Sequence, residues 1–291
     1  MRRILILFFF LGWMDVELSA QGDDRLVHTR HFSPSVGLGW YTFRDFGTSP
    51  LFYAGPGLNL SLGNRWSSVR AESWLNASTH FALTSAKVPQ STFLQAGGSA
   101  FFLDFRIDGG QLRRMRKPPV ERLEVFAGGK LVSDLLLRQN SGFGNAQVGT
   151  DVLVNLLASG KVSYDLSRQN ADTLNLKLIR LRRKPKTQNF DFQLDVGVLN
   201  FNYRPGYAYV HDSELTGEPG LGWALADHRW KLNGWRLGTA LGYRRQRSNG
   251  NAMRIDYCWE AVHAPGRFKA LQFASHQVRV VFLFNTKKPN E

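Results

Sequence analysis

The chain has 291 residues, a formal net charge of +14 and a pI near 10.2. A mean hydropathy of −0.27, with no apolar run of helical transmembrane length, excludes a bundle of membrane-spanning helices. A lone cysteine, Cys258, excludes an internal disulfide and any multi-cysteine metal cluster.

The first twenty residues read as an export signal. Arg2 and Arg3 form a short positive segment, Ile4 to Trp13 is an apolar run, and Leu18-Ser19-Ala20 is a cleavage site before Gln21. The apolar run covers about half of the ~20 residues an anchor helix needs. Next come Asp23, Asp24, His28 and His31. The histidine spacing would suit a divalent ion on a helix, but in a polar N-terminal segment it is read as solvated, and no metal is expected.

From there the chain alternates. Val36, Leu38 and Trp40 interleave with Gly37, Gly39 and Tyr41. Leu58, Leu60 and Leu62 interleave with Asn59 and Ser61, and Gly63-Asn64 is expected to turn the chain. Val69, Ala71, Leu75, Ala77, Phe81 and Leu83 then oppose Arg70, Glu72, Trp74, Asn76, Ser78 and His80. The most informative strand follows. Phe101, Leu103, Phe105 and Ile107 lie on one parity, with Phe102, Asp104, Arg106 and Asp108 on the other. After a basic turn, Leu123, Val125, Ala127, Leu131 and Leu135 oppose Glu124, Lys130 and Asp134.

The alternation loosens over residues 145–168, which hold at least one strand, with a hairpin through Ser159-Gly160 open. Leu174, Leu176 and Leu178 alternate again, as do Phe192, Leu194, Val196 and Val198 against Gln193, Asp195 and Gly197. Residues 211–222 are acidic and irregular and are read as an outward loop. Trp235, Leu237, Leu241 and Tyr243 then face away from Arg236 and Arg244, and Asn249-Gly250 is a strong hairpin signal. Met253, Ile255, Tyr257 and Trp259 oppose Arg254, Asp256, Cys258 and Glu260. Val278, Val280, Phe282 and Phe284 complete the set, leaving Arg279 on the other face.

A strand with one apolar face and one face bearing both signs of charge suits a barrel with lipid outside and a wet, charged interior. Only alternate residues meet lipid, so the average hydropathy looks soluble. The 13% aromatic content suits interfacial girdles. The expected fold is all-β: a transmembrane antiparallel up-and-down β-barrel. Roughly 20–23 residues per strand with its connection gives about twelve strands, with ten to fourteen open and an even number favoured. The expected divisions are a signal peptide at 1–20, a flexible N-terminal segment at 21–32, a barrel at 33–285 and a polar tail at 286–291.

Ser19-Ala20-Gln21, the tandem hairpins and the aromatic last strand Val278–Phe284 together resemble bacterial outer-membrane β-barrel proteins in the style of Bacteroidota. The resemblance is one of architecture and matches no specific named family. It departs where Asn285 to Glu291 follow Phe284, because such barrels commonly end on that aromatic. It implies an outer-membrane location after cleavage near Ala20, with outer-membrane lipid and the barrel-assembly machinery as partners.

The expected lumen carries Arg70, Glu72, His80, Asp104, Arg106, Glu124, Lys130, Asp134, Arg236, Arg244, Arg254, Asp256, Glu260 and Arg279. Phe101, Leu103, Phe105, Ile107, Val278, Val280, Phe282 and Phe284 are expected to meet lipid. Arg236, Arg244 and Arg254 are expected to form the densest positive patch. Two basic clusters, Arg113, Arg114, Arg116 and Lys117, and Arg180, Arg182, Arg183, Lys184 and Lys186, run into prolines and therefore into turns. They are read either as solvated connections or as contacts for phosphate headgroups at the barrel rim. An exported chain is not expected to meet nucleic acid.

No residue is assigned a catalytic role. Ser163-Tyr164-Asp165, His211-Asp212-Ser213 and Ser275-His276 lack the flanking pattern of a known hydrolase, and neighbours on a strand point to opposite faces. His80 is read as a hydrogen-bonded lumenal histidine. No cofactor is expected, since phosphate-cradling loops are absent. The sequence favours a small transport pore with a charged, net-basic lumen. A closed structural or docking barrel of a surface assembly is the alternative, and an outer-membrane enzyme acting on lipid or peptide is the third reading.

Overall fold

The computed structural model describes residues 29–46, 51–86, 98–115, 122–140, 148–168, 172–176, 179–183, 185–205, 228–266 and 270–286. The expected signal peptide, His28, Arg116, Lys117, Lys184, residues 211–222 and the tail after Thr286 lie outside the described residues.

The strands in chain order are β1 (Thr29–Phe32), β2 (Ser35–Asp45), β3 (Tyr53–Ser67), β4 (Ala71–Ser85), β5 (Ser99–Arg114), β6 (Leu123–Gln139) and β7 (Val148–Asp165). They continue with β8 (Asp172–Leu176), β9 (Ile179–Arg183), β10 (Thr187–Pro205), β11 (His228–Leu232), β12 (Trp235–Gln246), β13 (Ala252–Pro265) and β14 (Ala270–Asn285). Ten of them close an antiparallel barrel in the order β2-β3-β4-β5-β6-β7-β10-β12-β13-β14, and β14 pairs back onto β2. The other four do not add staves. β1 prolongs β2 beyond Ser33-Pro34, pairing with the same neighbours β14 and β3. β11 prolongs β12 beyond Asn233-Gly234, where Gly234 takes φ 88°. β8 and β9 pair only with each other.

The barrel therefore has ten strands, at the low end of the expected range. The difference from twelve has a physical source. Leu174 and Leu176 belong to the separate β8–β9 hairpin, within a connection running from Leu166 to Lys186, and Leu178 lies outside the described residues. One expected turn is absent, and a hairpin left open is settled as a continuous strand. β3 runs straight through Gly63-Asn64, whose partners are Asn76 and Leu75, and the chain turns later, where the Ser68 hydroxyl accepts from the Ala71 amide at 3.0 Å. β7 runs through Ser159-Gly160 without a break. The Asn249-Gly250 hairpin does form, with Gly250 at φ 80°.

An even number of staves brings Thr29, at the start of β1, and Asn285, at the end of β14, to one rim. That terminal rim carries the turns at Ser68–Arg70 and Asn249–Gly250 and the β5–β6 and β7–β10 connections; the opposite rim carries the other five. The outer face is almost continuously apolar, with Leu38, Leu60, Leu62, Leu83, Ile107, Val198 and Val278 among its most exposed side chains. A polar exception, His276 on β14, is matched by Tyr257 on β13, whose hydroxyl lies 2.7 Å from His276 Nδ1.

β10 contains a bulge between Gly197 and Leu199. Val198 and Leu199 both stay outside, and the inward parity passes from Asp191, Asp195 and Gly197 to Asn200, Asn202 and Arg204. The irregularity in the partner strand locks this point: Asn200 Nδ2 donates to the Gly234 carbonyl at 3.2 Å and Asn202 Nδ2 to the Asn233 carbonyl at 2.7 Å.

Candidate functional site

The lumen is layered. Nearest the opposite rim, Arg138 of β6 and Arg204 of β10 are clamped between Asp45 of β2 and Asp151 of β7. Arg138 donates to Asp45 at 2.6 Å and to Asp151 at 2.5 Å. Arg204 donates to Asp151 at 2.7 Å and to Asp45 at 3.0 Å, with a further bond to the Ala264 carbonyl at 2.8 Å. Asp151 has no exposed surface. Two bases facing two acids cancel, and each guanidinium spans both carboxylates, the geometry for which arginine is suited.

One step inward along the same strands, Phe43, Leu136 and Leu153 enter an apolar plug with Tyr41, Tyr53, Phe102, Leu271 and Phe273. The Phe102 ring stacks on Phe273 at 5.1 Å and on Phe43 at 5.7 Å. Tyr41 fits because its neighbour on β3 is glycine: a Cβ at Gly57 would fall 2.7 Å from the Tyr41 ring.

Below the plug lies a second ionic layer. Arg106 donates to Asp134 at 2.5 Å, to Glu260 at 2.9 Å and to Asp104 at 3.2 Å. Arg236 pairs with Asp134 and Glu260 and donates to Asn155 at 2.8 Å. His80 Nδ1 lies 2.8 Å from Asp104, which is fully buried.

The third layer, toward the terminal rim, borders a partly open polar cavity of about 120 Å³, which the middle layer also lines. Its walls include Lys130 with Asp195 at 3.2 Å, Lys161 with Glu72 at 2.6 Å, and Arg254 with Asp256. Arg254 also reaches Asp191 at 3.3 Å.

Glu72, His80, Asp104, Arg106, Lys130, Asp134, Arg236, Arg244, Arg254, Asp256, Glu260 and Arg279 lie on the inward parity of their strands. Phe101, Leu103, Phe105, Ile107, Val278, Val280, Phe282 and Phe284 lie on the outward parity, with Ile107 61% and Val278 52% exposed. Arg70 does not line the lumen: it sits exposed in the β3–β4 turn, because β4 starts one residue later. Glu124 is half-buried at the terminal end of β6, 2.9 Å from Arg114.

The expected patch of Arg236, Arg244 and Arg254 also disperses. Arg244 and Arg254 are cross-strand neighbours, but Arg236 lies eight residues up β12 in the middle layer, neutralised by two acids. Most described lumenal Arg and Lys side chains have a carboxylate within 4 Å, whereas Arg65, Arg244 and Lys231 do not, Lys231 donating instead to the Gly266 carbonyl at 2.9 Å. Most of the described lumenal charge is therefore paired across strands, and the unpaired remainder is basic.

Sequence reasoning missed Asp45, Arg65, Arg138, Asp151, Lys161 and Arg204. For Arg138 a signal was available, since it shares the parity of Lys130 and Asp134. The two basic clusters fall on the terminal rim: Arg113 and Arg114 end β5, and Arg180, Arg182 and Arg183 lie on β9. Among the described residues no group of histidine, cysteine and carboxylates is placed to hold a metal ion.

No protein-family model and no curated protein sequence matches the chain. Similar solved structures are bacterial outer-membrane proteins. The outer membrane protease OmpT of Escherichia coli has a TM-score of 0.44 at 6% identity, covering 89% of this chain and 95% of that one. The transport unit of the autotransporter AIDA-I, also from Escherichia coli, has a TM-score of 0.37 at 9% identity, with 93% of each chain covered. The attachment invasion locus protein Ail of Yersinia pestis has a TM-score of 0.28 at 10% identity, covering 88% and 99%. At such scores the barrel rests on its own hydrogen-bond pattern, and the activities of these proteins say nothing of this one.

Proposed function

We propose that this chain is an outer-membrane barrel with a closed lumen, serving as a structural or docking component of a surface assembly. The export-type N-terminus and the apolar outer face of the staves support the location: side chains such as Leu38, Leu60, Ile107 and Val278 would be an aggregation liability in water and are at home in lipid. The observation that carries the closed reading is the Asp45–Arg138–Asp151–Arg204 clamp seated on the aromatic plug. A conduit needs hydrated walls, whereas here each clamp arginine is held by both carboxylates and the rings beneath are almost wholly buried.

The test is reconstitution in planar bilayers with parallel fractionation of cell envelopes. The protein should co-fractionate with the outer membrane, resist carbonate extraction and give no unitary current steps. Steady anion-selective steps from the parent protein would instead favour the small pore. Recovery from the soluble periplasmic fraction would remove the membrane reading altogether.

A further inference from the structure

The cavity nearest the terminal rim has buried hydrogen-bond donors on its walls that meet no acceptor among the described residues. Its acids are already engaged. Glu72 accepts from Lys161, Asp195 from Lys130, Asp256 from Arg254, Glu260 from two arginines, and Asp108 from Trp74 Nε1 at 2.9 Å and Asn76 at 3.3 Å. Three buried polar atoms on the same walls have no partner: Ser33 Oγ, Arg65 Nε and Arg279 Nε. All three can donate. Ser33 is 3% exposed. Arg65 makes no ion pair among the described residues, and Arg279 comes no nearer than 3.8 Å to Asp256, which Arg254 already holds.

These groups stand on adjoining staves. Ser33 follows β1, Arg65 is on β3 and Arg279 on β14, and both β3 and β14 pair with the β1–β2 stave. Between the two arginines the inward residues are small: Ser35 and Ser61 line the cavity, while Gly37 and Gly63 make room for the Arg279 stem and the Asn76 amide. Two like charges facing a polar void, with unmet donors approaching from three strands, form a receptor for an anion. Acceptors pointing in several directions satisfy such a set, so a tetrahedral oxyanion fits better than a planar carboxylate. A volume of about 120 Å³ exceeds what one water needs and admits such an ion with some of its waters.

We propose that this cavity binds a phosphate-class oxyanion, held by Ser33, Arg65 and Arg279. The phosphate is either free or carried on a lipid headgroup. The inference is independent of whether the opposite rim is closed.

The experiment is titration calorimetry on the purified, folded barrel in a phosphate-free detergent at constant ionic strength. The probes are inorganic phosphate, acetate and short-chain phosphatidic acid. Saturable phosphate binding is expected, about tenfold tighter than acetate, with about a tenfold loss in Arg65→Gln and in Arg279→Gln. Ser33→Ala, which removes only a hydroxyl, should weaken binding severalfold and keeps the test usable if either arginine variant misfolds. Phosphatidic acid binding more tightly than inorganic phosphate would identify the lipid headgroup as the source. The reverse order would identify the free ion. No saturable heat with either phosphate probe, acetate binding as tightly as phosphate, or phosphate binding unaltered in the folded variants would overturn the proposal and leave a water-filled cavity.

Discussion

Asp104 and Asp151 have no exposed surface, yet each is a carboxylate on a strand whose other face meets the outside. Burying a charge is tolerable only when partners replace the water it loses. Asp151 has two, Arg138 and Arg204, and its loss takes from each of them one of the two carboxylates that hold it in the clamp. Asp151→Ala should therefore destabilise the folded barrel by about 3–5 kcal/mol, read as a shifted urea midpoint in lipid vesicles. Asp151→Glu, which keeps the charge, should recover part of that loss. An Asp151→Ala midpoint equal to the parent's would mean that the clamp is not a stabilising contact. On the other face the sign of the argument reverses. Ile107 is 61% exposed, so Ile107→Arg sets a new charge against lipid and should cost about 2–4 kcal/mol if the site lies near the midplane. The same substitution would be nearly neutral on a water-facing surface.

At the scale of the strand, legibility followed regularity. Phe101–Asp108 alternates without interruption, and its two faces could be separated by reading alone. Arg204 could not be placed that way, because the bulge sets Val198 and Leu199 side by side on the outside and reverses the parity of everything after them. The plug was hidden for a different reason. Around Tyr41, Phe43 and Phe273 the outward neighbours include Thr42, Arg44 and Gln272, so the apolar parity there is the inner one, while Phe102 sits between Phe101 and Leu103, where both parities are apolar. Glycine misled as well: Gly63-Asn64 has the composition of a turn, and extended pairing with Asn76 and Leu75 overrides it. The bulge makes a prediction of its own. Adding one alanine between Phe201 and Asn202 would turn Asn202 and Arg204 outward, and refolding into vesicles should fail. Deleting Val198 keeps both inward and should leave a folded, less stable barrel. If the insertion refolds as well as the parent, parity on β10 does not govern assembly.

For the molecule as a whole, ten staves enclose a space that side chains can fill, and the filling is uneven. The half toward the opposite rim is dry and aromatic, whereas the half toward the terminal rim keeps its polar cavity. Stability should accordingly be concentrated at one end. Hydrogen exchange ought to protect the amides of Phe43, Leu136 and Leu153 most strongly, with faster exchange at Trp66, Tyr164 and Gln246 near the terminal rim. Uniform protection along the staves would contradict the layered lumen.

The four-residue clamp has a consequence for how such a barrel comes into being. Asp45 enters on the first stave, Arg138 and Asp151 on the fifth and sixth, and Arg204 on the seventh. Until the seventh has docked, the acids outnumber the bases in that layer. Once it has docked, the cross-lumen contacts to Asp45 still require the sheet to curl through most of its circumference. A partly inserted sheet thus carries an uncompensated charge that only curvature can relieve. Electrostatics rewards the rolled form over the flat one before the final seam between β14 and β2 is made, so closure follows as the relief of a strain that the growing edge itself has built.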